Sequence, residues 1–131
     1  MKLVRVILLL LIGVLLTIPS VSCTMRNSPS KMIHVNGRYA LNDGGDAQNS
    51  ADYTVYVINE DTFDWHNVML AVQDLYKYPD TIDVIKSGET FSRPLSDFIL
   101  NGKPFDITSF KPSKIQVHSN EGTFYGAWAK E

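Results

Sequence analysis

Beyond Cys23 no stretch of the chain holds a helical hydrophobic period for about 11 residues, and this narrows the fold more than any motif. In its place come short runs of β-branched and aromatic residues, punctuated roughly every ten residues by Gly, Asn, Asp or Pro. That is the pattern of an all-β domain. Residues 52–59 carry the strongest strand signal, with Tyr53, Val55 and Val57 on one face and Tyr56 and Ile58 on the other. Both faces are apolar, so a central strand is expected. Residues 67–73 alternate with Val68, Leu70 and Val72 inward. Residues 90–95 contain Pro94, which lacks a ladder donor and predicts an edge strand. Residues 114–118 and 123–129 flank Asn120-Glu121-Gly122 and read as a hairpin, with Ile115 and Val117 inward and Gln116 and His118 outward. Asn36-Gly37 favours a tight hairpin between 32–35 and 38–41, and a second Asn-Gly stands at 101–102. Phe124, Gly126 and Trp128 share one face, which places the last strand near the centre of the core. Seven to nine short strands suggest a small antiparallel β-sandwich, with a small barrel as the alternative.

The N-terminus has a different character. Lys2 and Arg5 precede an apolar run from Val6 to Leu16, followed by small residues up to Ser22. A positive start, an apolar stretch of roughly 7–15 residues and small residues before a cleavage point describe an export signal. The uncharged stretch stops at Pro19, short of the ~20 residues a spanning helix needs. The only cysteine follows directly, in Ser20-Val21-Ser22-Cys23. This resembles the lipobox of bacterial lipoproteins, although Ser20 stands where Leu is commonest. The resemblance implies a diacylglyceryl group on Cys23 and a signal peptide over 1–22. The alternative is an ordinary signal peptide whose removal leaves a free thiol. A lone cysteine in an exported chain calls for a special role, and lipidation supplies one. In a Gram-negative cell, Thr24 in place of Asp would direct such a protein to the outer membrane.

Residues 23–31, small, polar and containing Pro29, read as the anchor cysteine and a tether; the β-sandwich domain is expected over 32–131. All fourteen aromatics lie at or beyond Tyr39, and a domain of this size without disulfides must bury most of them. Losing Lys2 and Arg5 leaves ten basic against fourteen acidic residues and no basic cluster, which argues against nucleic acid as a partner.

Asn59, Phe63-Asp64-Trp65, Asn67-Val68, Gly88-Glu89-Thr90, Phe98, Gly102, Phe105, Lys111-Pro112, Ile115, and Gly122 with Tyr125-Gly126 and Trp128 together resemble the Ig-like sandwich domains of small uncharacterised bacterial lipoproteins. The likeness implies the fold and carries no activity, since such sandwiches host many functions.

Signals for chemistry are sparse. Asn59, Glu60, Asp61 and Asp64, or Asn42, Asp43 and Asp46, could offer oxygens to a hard cation, but neither group has the spacing of a calcium loop, and Asp and Asn are ordinary turn formers. His34, His66 and His118 fall on separate elements without metal-ligand spacing. No nucleophile elbow or close carboxylate pair is present. The expectation is therefore no catalytic residue, no metal and no cofactor. The candidate binding residues are the aromatics Trp65, Tyr76, Tyr78 and Tyr125, against a core role for each. The sequence thus points to a non-enzymatic, lipid-anchored envelope protein that contacts the membrane through Cys23 and binds an envelope protein partner. The alternative is a glycan- or peptidoglycan-binding module built on exposed aromatics.

Overall fold

A computed structural model of the chain describes residues 31–129; the expected signal peptide, Cys23 and most of the tether lie outside the described residues. Within them the fold is an all-β sandwich of two antiparallel sheets, one of three strands and one of seven.

The small sheet is built around β2 (Tyr53–Asn59), flanked by β1 (Val35–Leu41) and β6 (Thr90–Pro94). Strand β2 is central, as its two apolar faces require. Val55 and Val57 enter the core, while Tyr56 on the outer side is covered by the guanidinium of Arg38, 4.2 Å from the ring centroid. Pro94 closes β6, which pairs only with β2 and forms the sheet edge.

The large sheet is organised on β3 (Trp65–Val72). One flank of β3 pairs with β9 (Lys114–His118), which forms a hairpin with β10 (Thr123–Ala127). The other flank pairs with β4 (Tyr76–Lys77) and β5 (Ile82–Ile85). The register slips by two residues between these pairings, so β4 and β5 are one interrupted strand that bulges outward near Pro79 and Asp80. Strands β7 (Ile99–Leu100) and β8 (Lys103–Pro104) complete the sheet. Asn67, at φ 51°, breaks the two-residue alternation of β3, so that both Trp65 and Val68 face inward.

Three expectations need correction. Asn36-Gly37 is not a hairpin turn: residues 35–41 are one continuous strand, paired throughout with β2. Gly37 is there for close approach, since a Cβ would sit 2.9 Å from Ile115 Cγ2 and 3.4 Å from Trp128 Cε3. Strand β10 lies at the edge of the large sheet rather than at its centre, with Phe124 and Trp128 only half-buried. The described residues form ten short strands rather than seven to nine, because β4–β5 is interrupted and β7–β8 is a two-residue-per-arm hairpin.

Both sheets contribute to one core, in which Val55 and Val57 meet Val68, Leu70, Val72, Ile115 and Val117 around Trp65, Phe98 and Phe105. Each large side chain so buried contributes roughly 1.5–3 kcal/mol. The strands run lengthwise between two ends. At one end, Lys31 O accepts from Thr123 N and Ile33 N donates to Thr123 O, a parallel bridge to β10 before the chain crosses into β1. The 60–64 loop, the 86–89 turn and the 119–122 turn gather there, held by Ser87 N to Asp64 Oδ1 (2.9 Å) and Asn120 N to His66 O (2.9 Å). At the opposite end lie the 42–52 loop, the 73–75 turn and the 105–113 segment, joined by Ile107 N to Ser50 Oγ (2.9 Å) and Ser113 N to Gln73 Oε1 (2.8 Å).

Candidate functional site

The four candidate aromatics, weighed against a core role for each, are not together. Trp65 is 0 % exposed and belongs to the core. It shifts inward because Asn67 resets the strand parity and because Asp61 supplies a buried partner for its indole N–H. Tyr76 is half-buried against Phe105 and Phe110, at centroid distances of 4.8 and 6.0 Å. Tyr78 is half-buried against Phe91 and Phe98, at 5.5 and 5.9 Å. Only Tyr125 stands clear, 49 % exposed on the outer face of β10.

That outer face gives the most ordered surface arrangement. Pairing across the sheet sets two rows, Thr123–His118–Met69 and Tyr125–Gln116–Ala71–Lys77. Met69, at 54 % exposed, is the large apolar side chain that the alternation of β3 turns to solvent. Ala71 beside it is small, so Met69, Ala71, Asp74, Lys77, Gln116 and His118 enclose a shallow groove of about 360 Å³.

The polar groups on this face are fixed to one another. Tyr125 Oη donates to Asp74 Oδ2 (2.8 Å) and accepts from Lys114 Nζ (3.0 Å), and Lys114 Nζ also lies 5.3 Å from the ring centroid. The Tyr125 hydroxyl, with Asp74 behind it, holds the Lys114 ammonium above its ordinary pKa. Asp74 is aimed by the turn it sits in: Gln73 and Asp74 are both left-handed, at φ 55° and 68°. Gln73 locks the turn onto β9 through its N–H to Lys114 O (3.0 Å) and its side chain to Ser113. Gln116 Nε2 lies 2.8 Å from His118 Nε2, and His118 Nδ1 lies 3.0 Å from Thr123 Oγ1. The tyrosine ring is thus held on a rigid sheet, with little side-chain freedom left to lose on contact.

A second cluster lies at the end where Lys31 enters, and its buried members tie the two sheets together. The Asp61 carboxylate is nearly enclosed. Its Oδ2 accepts from Trp65 Nε1 (2.9 Å) and His34 N (3.1 Å), and its Oδ1 meets His34 Nδ1 at 2.7 Å. Burial pushes its pKa up, but the hydrogen bonds from His34 and Trp65 outweigh this and leave the carboxyl below its ordinary value. Asn59 is fully buried and ties the two sheets together: Nδ2 donates to Phe63 O (2.9 Å) and Ile85 O (3.0 Å), and Oδ1 accepts from Asp61 N (2.9 Å). Ser87, Asp61 and His34 do not form a nucleophile–base relay, because Ser87 Oγ donates to the Asp61 main-chain oxygen (2.6 Å). Nearby, His66 Nδ1 pairs with Glu121 Oε1 (2.6 Å) beside Lys31, Phe63 and Asp64. Among the described residues no three His, Cys, Asp or Glu side chains are grouped to hold a metal ion.

Of the residues on this candidate face, sequence reasoning singled out Tyr125 and not Met69, Asp74 or Lys114. The signal for Met69 was available, as the one large apolar residue on the polar side of an alternating strand. The Asp74–Tyr125 contact, 51 residues apart in the chain, was not readable. No family model matches this chain, and no curated protein or solved structure is similar to it.

Proposed function

We propose that this protein is a non-enzymatic envelope lipoprotein, anchored through Cys23, whose sandwich binds a protein partner with the outer face of its large sheet. The observation that carries the reading is the Tyr125–Met69 face, two exposed anchor side chains set 49 % and 54 % open beside a shallow groove and rimmed by Asp74, Lys77, Lys114 and His118. Tyr and Met are enriched in the middle of protein interfaces, and a polar rim around such anchors is their usual setting. The location rests on the sequence alone, on the positive start, the apolar run and Val21-Ser22-Cys23. A glycan-stacking module would need several open ring faces, and of the four candidate rings Tyr125 alone supplies one.

The test places a photo-crosslinking residue at Met69 in the full-length protein in living bacteria, with Ser92 on the small sheet as control. A discrete adduct at 69, absent at 92 and lost on Tyr125→Ala, is the expected result. An adduct indifferent to Tyr125, or none at 69, refutes the face as a docking site. Tyr125→Ala removes exposed hydrogen bonds to Asp74 and Lys114 and should cost about 1 kcal/mol, leaving the domain folded.

A further inference from the structure

We propose that the end of the sandwich formed by Lys31-Met32, the 60–64 loop and the 119–122 turn lies next to the lipid surface, with the strands standing away from it. This rests on the anchored reading above. Its own support is the docking of Lys31 and Ile33 onto the start of β10. Lys31 is fixed to the sandwich, its carbonyl accepting from Thr123 N at the start of β10, and Ile33 is buried. The chain before Lys31 therefore leaves from this end.

Only residues 24–30 separate that point from Cys23. Seven residues span at most about 25 Å even when fully extended. Strand β1 runs the other way over seven residues, which is about 23 Å at ~3.3 Å per residue. A lipid on Cys23 thus holds the Lys31 end within one tether length of the headgroups. The 42–52 loop and 73–75 turn lie about a strand length from Lys31, so they point away from the layer when the Lys31 end faces it.

The side chains at this end suit a lipid interface. Met32, at 73 %, is the most exposed large apolar residue among those described. Phe63 lies half-exposed beneath the Lys31 ammonium, 4.8 Å from its ring centroid. An apolar group next to a long cationic side chain can meet acyl chains while the charge stays at headgroup level. Asp64 and Glu121 flank the same surface, so contact at its rim is with a zwitterionic layer in preference to a strongly anionic one. The outer face with Tyr125 and Met69 then stands sideways to the membrane and open to a partner in the same layer.

The chain has one cysteine, and lipidation consumes it, so a second can be labelled alone. Asn120→Cys, in the 119–122 turn, and Gln48→Cys, in the opposite loop, are both at exposed positions whose side chains make no hydrogen bond among the described residues. Each lipidated protein, its lipid verified by intact mass, is labelled with a fluorophore. It is then reconstituted in phosphatidylethanolamine vesicles carrying a headgroup quencher. Quenching at 120 should exceed that at 48 at least threefold, and Met32→Ser should narrow the ratio. Equal quenching at both positions in a lipid-bearing protein overturns the orientation and leaves the anchor standing. A mature chain whose mass carries no lipid overturns the anchored reading itself, and the orientation with it.

Discussion

Removing the Asp61 carboxylate should be the most costly single change at the Lys31 end of the sandwich. In Asp61→Ala the indole N–H of Trp65, 0 % exposed, loses its acceptor. A buried donor left unpaired costs about 1–3 kcal/mol, and a hydrogen bond to a charged group contributes about 1.5–3. The His34 contacts are more exposed on the histidine side and add little. The expected loss is therefore about 3 kcal/mol, a large fraction of the 5–15 kcal/mol that holds an ordinary domain folded. Asp61→Asn keeps an oxygen for the indole and should cost roughly half as much.

The assay is urea unfolding followed by tryptophan fluorescence, run on the single variants and in a Trp65→Phe background. With Phe at 65 there is no N–H to orphan, so Asp61→Ala should cost at least ~1 kcal/mol less than in the wild-type chain. Additive effects of the two changes would refute the assigned role of Asp61. The same carboxylate predicts a pH dependence. Its folded pKa lies below the unfolded value of about 3.9, so the native state binds fewer protons than the unfolded state. Its contribution is complete above about pH 5 and is lost as pH falls through the lowered folded value. Asp61→Asn should flatten that acid limb of the stability curve.

The glycines offer two further checks. Gly122→Ala would drive a methyl into the Lys31 carbonyl and so break the parallel bridge to Thr123, with a loss of at least about 2 kcal/mol and faster amide exchange at Thr123 and Ile33; unchanged exchange would refute the docking of Lys31. Gly37→Ala and Gly102→Ala should both destabilise, for different reasons that calorimetry on double variants can separate. The first meets Ile115 Cγ2, so Gly37→Ala should cost less in an Ile115→Ala background, which lacks that methyl, than in the wild-type chain, whereas the second, at φ 75° with nothing within 4 Å, should cost about 1 kcal/mol that no neighbouring substitution recovers.

That pair of glycines also shows where sequence reasoning succeeds and where it stops. Asn101-Gly102 and Asn36-Gly37 carry the same local preference for positive φ. At 101–102 the preference is realised, with φ 50° and 75° in the two-residue turn between β7 and β8. At 36–37 the same dipeptide lies inside a strand, because Val35, Gly37 and Tyr39 fall on one face opposite Asn59, Val57 and Val55, and seven cross-strand pairs outweigh one turn propensity. The alternating strands were legible for the same reason that they form, since each buries a row of side chains two residues apart. Thus β2, β6 and the β9–β10 hairpin lie where the pattern puts them.

A core place for Trp65 was weighed from the sequence, but its cause was not legible there. Its direction depends on one left-handed residue, Asn67, and on an acceptor, Asp61, held by Asn59 and His34. Neither influence has a period. The candidate site divides along the same line. Tyr125 and Met69 follow from strand parity, whereas Asp74 and Lys114, which fix the Tyr125 hydroxyl, meet it only because the β3–β4 turn is pinned to the start of β9. A binding face on a sheet of this kind is therefore visible in sequence as its exposed anchors and invisible as its rigidity. Tertiary contacts between distant turns supply that rigidity, and it separates a surface that can dock a partner from one that merely exposes a tyrosine.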